Sequence, residues 1–128
     1  MMPAKMLMAV AAGGALGAMG RYIVASRVMR LVDGSFPYGT LTVNVLGSFL
    51  MGVLVGLLAL RLSASPQTQA FLMVGLLGGF TTFSSFSLEV VLLFERHMPG
   101  LALFYVLLSA FLSIGALFGG LYAIRALF

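Results

Sequence analysis

The chain has no cysteine, no tryptophan, three acidic residues and one histidine, and charged side chains make up only 8% of its 128 residues. Without cysteine there is neither a disulfide framework nor a thiolate metal site. The scarce acids and lone histidine leave no activated serine, no paired carboxylates and no metal-binding cluster of side chains. No phosphate-cradling loop is present either, so the chain is not expected to be an enzyme. The seven basic residues are scattered singly rather than gathered into a patch, which excludes a nucleic-acid partner. What remains is apolar: 62% of the residues are hydrophobic, more than a soluble domain of this size can hide.

The apolar residues fall in uncharged tracts, Gly34 to Leu60, Leu62 to Leu88 and Met98 to Ile124. Each exceeds the roughly 20 residues that a helix needs to cross a hydrocarbon core. A fourth tract, Met6 to Ser26, is interrupted only by Arg21. The pattern predicts an all-α integral membrane protein, a single transmembrane domain over residues 1–128 with helices near 4–31, 39–61, 67–95 and 99–126. The breaks between them, around Asp33–Pro37, Ser63–Pro66 and His97–Gly100, each hold a proline with small or polar neighbours. A membrane β-barrel would alternate apolar and polar residues at every second position, and no such alternation is present. The N-terminal apolar tract is too long for a signal peptide and reads as the first helix.

If the helices alternate in direction, Lys5, Arg61 and Arg125 reach one side of the membrane and Arg27, Arg30 and Arg96 the other. Basic residues in short loops normally fix orientation, so a tie predicts insertion both ways round. These six anchor helix ends at the headgroups, and His97 reads as a solvated surface residue. Arg21 lies more than a turn inside the first helix. It faces protein or water, either attracting anions or pairing with an acid or a backbone carbonyl.

Every predicted helix carries a Gly-xxx-Gly pair: Gly13 and Gly17, Gly52 and Gly56, Gly75 and Gly79, Gly115 and Gly119. Small residues at that spacing let helix backbones approach closely, within one chain or between two.

The least lipid-like stretch is Gly78-Gly79-Phe80-Thr81-Thr82-Phe83-Ser84-Ser85-Phe86-Ser87, in the middle of the third tract. Irregular backbone at membrane depth survives only against protein or a water-lined cavity, so this predicted break in the third helix is the candidate site. On a helix, Phe83, Phe86 and Glu89 share a face at spacings of three. The two rings serve either packing or a pathway, and an acid inside a membrane helix is a functional candidate by default. Tyr105, Ser109 and Ser113 make a hydroxyl stripe on the fourth helix, either lining a pore or bonding back to the preceding turn. Asn44, after Thr40 and Thr42, either ties two helices together or contacts an ion. Carbonyls freed by a broken helix are hard ligands suited to a small cation.

These residues resemble the Fluc, or CrcB, fluoride channels. The likeness runs from Gly20-Arg21-Tyr22 through Gly39-Thr40-Leu41-Thr42-Val43-Asn44 and Gly47 to the run Gly75–Glu89, and it covers essentially the whole chain. The resemblance implies a dual-topology homodimer of antiparallel four-helix subunits in the cell (inner) membrane, a multi-pass channel with two narrow fluoride pathways. It also implies a sodium ion at the dimer centre, held by the backbone carbonyls of Gly78 and Thr81 from both subunits. Phe83 and Phe86 become the pore rings and Asn44 the amide beside them. Ser84, Tyr105, Ser109 and Ser113 would replace water around fluoride, Arg21 would concentrate the anion at the mouth, and Glu89 belongs to the same pathway by its motif. One departure is Ser85, where the family pattern more often has threonine; the hydroxyl is kept.

The expected activity is passive export: hydrogen fluoride crosses the lipid inward, dissociates in the more neutral cytoplasm and leaves as fluoride. The alternative is a dual-topology small multidrug transporter, which wants a carboxylate deep in its first helix, where this chain has Arg21. A non-transporting assembly protein would explain the glycine pairs and leave the hydroxyl-rich stretch without a purpose.

Overall fold

Four helical spans, each long and apolar enough to cross a membrane, make up the described part of the chain. The computed structural model describes residues 3–60 and 63–128, so Arg61, at the expected end of the second helix, lies outside the described residues. Helix α1, Ala4–Leu31, starts after the extended Pro3 and runs 28 residues, about 42 Å at the usual rise. It ends before a turn in which Gly34 has φ 113°, a left-handed value that side chains rarely adopt. Pro37 opens α2, Tyr38–Leu60, where its carbonyl accepts from the Leu41 N–H.

The third span is built from several pieces. Ser65 caps α3, Pro66–Gln69, by accepting from the Thr68 N–H, and Pro66 takes the first-turn position where no N–H is needed. A π-helical segment, Ala70–Leu77, follows, and α4, Gly78–Phe80, continues it. Thr81 and Thr82 are extended (ψ 158° and 122°), and α5, Phe83–Glu95, starts afresh with the Thr82 hydroxyl accepting from the Ser85 N–H. At its end His97 is left-handed (φ 61°), while the His97 and Met98 N–H groups return to the carbonyls of Phe94 and Leu93. That is a Schellman closure with histidine where glycine usually stands. The last span is α6, Pro99–Leu127.

Glycine decides how the spans pack. A Cβ on Gly13 or Gly17 would run into the backbone carbonyls of Phe71 or Leu76, so α1 lies directly on the π-helical segment. Gly52 of α2 sits against the Leu117 carbonyl, and Gly120 of α6 against that of Phe49. Three of the four glycine pairs thus serve packing within the chain. Gly115 and Gly119 face open space in the single subunit, and their neighbour Gly120 makes the close approach instead.

A small core of Leu41, Leu93, Ala102 and Tyr105 joins α2, α5 and α6. Elsewhere large apolar side chains point outward, such as Phe111 at 74% exposure, as a lipid-facing surface requires. The chain is an all-helical, multi-pass membrane protein.

Candidate functional site

The extended pair Thr81–Thr82 redistributes the hydrogen bonds around it. In a continuous helix the Thr82 N–H would donate to the Gly78 carbonyl; here it donates to Asn44 Oδ1 at 2.7 Å, and Asn44 Nδ2 donates to the Thr82 carbonyl at 3.0 Å. The amide therefore pairs with both backbone groups of one residue, tying α2 to the third span. The Ser85 N–H, which would serve the Thr81 carbonyl, goes to the Thr82 hydroxyl at 3.1 Å. Gly78 and Thr81 are left with carbonyls that have lost their helical donors. Between them, the Gly79 carbonyl accepts from Arg21 Nε at 3.2 Å. Of the alternatives for Arg21, the single chain shows the backbone carbonyl.

A cavity of 530 Å³ opens beside this point, with Asn44, Thr81, Phe83, Phe86, Ser109 and Ser113 in its wall. Five of the nine side chains expected on a pathway are thereby brought together. Phe83 is 78% exposed, and its ring lies 5.4 Å from that of Phe86. Phe86 in turn leans on Tyr105, with centroids 5.1 Å apart, and Phe36 meets Tyr105 edge-on at 5.4 Å. The Tyr105 side chain is fully buried between those rings. Its hydroxyl and that of Ser109 are buried, and among the described residues neither meets a hydrogen-bond partner. The stripe on α6 is therefore not occupied by back-bonding at those two positions; the Tyr105 phenol instead lies beside the side chains of Thr40 and Ser109.

The remaining four candidates lie outside this cavity. Ser84 is exposed one position from Phe83, with its hydroxyl 3.4 Å from that of Thr82. Tyr105 stands behind Phe86, and Arg21 is turned to Gly79. Glu89 lines a second cavity, and one of its carboxylate oxygens accepts from the Thr40 hydroxyl. Gly78 is exposed on the single subunit, and Thr81 is half-buried with its hydroxyl bonded back to the Leu77 carbonyl at 3.0 Å.

Three residues were missed by sequence reasoning: Thr40 as the partner of Glu89, Thr82 as the partner of Asn44, and Ser48 in the cavity wall. A signal for two of them existed. Thr40, Asn44 and Ser48 recur every fourth residue and so share one face of α2. Among the described residues no group of three His, Cys, Asp or Glu side chains could hold a metal, so any cation here would rely on backbone oxygens.

With this geometry in place, the sequence model of the family described as CrcB-like protein, Camphor Resistance (CrcB), matches residues 8–121. The chain belongs to the CrcB family. Among its relatives, the fluoride-specific ion channel FluC of Agrobacterium fabrum is 56% identical over 119 residues, covering 93% of this chain and 95% of the relative. The protein of the same name from Rhodospirillum centenum is 55% identical, covering 94% and 96%. That from Caulobacter vibrioides is 50% identical, covering 95% and 97%. The CrcB resemblance read from the third-span motif is thus the family that whole-chain comparison gives, and these relatives are channels, not enzymes.

Proposed function

We propose that this CrcB-family chain is a fluoride-specific ion channel that passively exports cytoplasmic fluoride from the cell through the inner membrane, and that it is not an enzyme. The observation that carries the reading is the cavity beside Thr81–Thr82. It gathers an amide, two phenyl rings and the five hydroxyl-bearing side chains of Ser48, Thr81, Thr82, Ser109 and Ser113 at membrane depth, in a chain whose relatives are named for fluoride.

The wall chemistry suits a strongly hydrated small anion. A phenyl ring has a positive edge, so Phe83 and Phe86 attract an anion without a fixed charge. An anion held by a full positive charge in low dielectric would leave slowly, whereas weak repeated contacts permit conduction. The hydroxyls of Ser109 and Ser113 in the wall are donors able to stand in for water. The second N–H of the Asn44 amide is not used by Thr82 and adds another donor.

The channel is completed as a dual-topology antiparallel homodimer with two pathways, each broken third helix meeting its inverted copy at the centre. A structural sodium ion fits the donors present: the carbonyls of Gly78 and Thr81 have lost their helical N–H partners, while that of Gly79 is occupied by Arg21. A bound sodium would supply a fixed central charge joining the two subunits. Asn44 and Arg21 keep the flanking backbone in place for it.

In proteoliposomes read by a fluoride electrode, Phe83→Ile and Phe86→Ile are each expected to cut fluoride efflux about 100-fold or more, on the scale of losing an oriented electrostatic contact. Wild-type efflux from both variants would sink the ring-edge mechanism.

A further inference from the structure

The second cavity, of 310 Å³, lies where the α1–α2 connection meets the end of α5, with Gly34, Ser35 and Pro37 on one side and Glu89 and Arg96 on the other. Arg96 follows the last residue of α5 and is exposed. Among the described residues its guanidinium has neither a hydrogen-bond nor an ion-pair partner. Glu89 is engaged by the Thr40 hydroxyl. Thr40 and Ser109 both neighbour the Tyr105 phenol, so polar side chains lead from this cavity to the one at Asn44 and Phe86. A carboxylate standing alone at that end of the line would turn an anion away. The free guanidinium shares its cavity.

We propose that this cavity is a water-filled mouth of the fluoride path, and that Arg96 captures the anion there and draws it past Glu89. The inference rests on the channel reading. A guanidinium is charged at every accessible pH and weakly hydrated, so it collects anions without a second protein partner. At an exposed mouth its attraction is screened by water and salt, so the anion is concentrated there and still released. This role differs from anchoring a helix end at the headgroups, which would affect insertion and stability at any ionic strength.

The test is initial fluoride efflux from proteoliposomes at sub-saturating fluoride, in about 0.01 M and about 1 M of an impermeant salt, where the screening length falls from about 30 Å to about 3 Å. Arg96→Gln is expected to be about tenfold slower than wild type at low salt, the lower end of steering effects, and within about twofold at high salt. Arg96→Lys, which keeps the charge, is expected to match wild type at both. Equal rates for Arg96→Gln and wild type at low salt would overturn the proposal. So would a deficit of the same size at both salt concentrations, or a lysine variant as slow as the glutamine one. Wild-type vesicles that pass no fluoride would instead sink the channel reading.

Discussion

Asn44 donates to the carbonyl of Thr82 and accepts from its N–H, so deleting the amide strands two backbone groups at membrane depth. Leaving a buried polar group unpaired costs about 1–3 kcal/mol, so Asn44→Ala is expected to lose about 2–4 kcal/mol, tempered by water in the adjoining cavity. Asn44→Asp keeps the acceptor for the Thr82 N–H and sets a carboxylate against the Thr82 carbonyl, so it is expected to be destabilised as well. Thermal unfolding in detergent, followed by the loss of the monodisperse peak, checks both; melting of Asn44→Ala at the wild-type temperature would count against the clamp. From the sequence, Asn44 stood open between tying helices and touching an ion. The partner lies 38 residues away, and no local pattern announces which backbone group a distant amide will find. Arg21 was open for the same reason: its spacing places it inside a span, while its contact with Gly79 depends on how α1 lies on the third span.

At the scale of the helix, contact between α1 and the third span depends on the missing side chain of Gly17. A methyl there would meet the Leu76 carbonyl, and backbone cannot rotate out of the way as a flexible side chain can. Gly17→Ala is expected to cost about 1–3 kcal/mol through overpacking and to loosen the Arg21–Gly79 contact one turn further on. Gly100, in the first turn of α6, has nothing within 4 Å and no left-handed φ, so Gly100→Ala should gain about 0.5–1 kcal/mol. Opposite shifts of the two melting temperatures would check the contrast; equal shifts would show that helix propensity, not close approach, governs both. The four spans were legible because an uncharged tract of membrane length leaves the backbone no better option than a helix. The glycine pairs were legible as packing faces, but not their partners. Gly120 does the work expected of Gly115 and Gly119, since a one-residue change in position turns the contact by about 100° around the helix. Nothing in Ala70–Leu77 marks a π-helix, because its residues suit an α-helix equally well.

For the whole molecule, the proposed sodium and the proposed inverted pairing make separable predictions. Replacing sodium by N-methylglucamine throughout is expected to lower dimer stability and fluoride efflux together, whereas Asn44→Ala shifts stability even with sodium present. The proposed dual insertion is argued from the basic residues: Lys5 and Arg125 at one end of the helices, with Arg61 expected there from its place in the sequence, balance Arg27, Arg30 and Arg96 at the other. With no bias to read, insertion should produce both orientations. The lack of cysteine makes this measurable, since one introduced thiol is the only target for a maleimide. Ser35 and Ser63 are exposed in the first and second connections, at opposite ends of α2. In each of Ser35→Cys and Ser63→Cys, about half of the chains are expected to react with a membrane-impermeant maleimide in intact cells, and the rest only after permeabilisation. A fixed orientation gives a different result: one variant reacts fully from outside and the other not at all. That outcome would remove the antiparallel dimer and leave only the cavity at Asn44 and Phe86, which lies within a single chain. Equal labelling of both variants would instead place two copies of the Thr81–Thr82 interruption in opposite directions in one membrane, as a central site built from both requires.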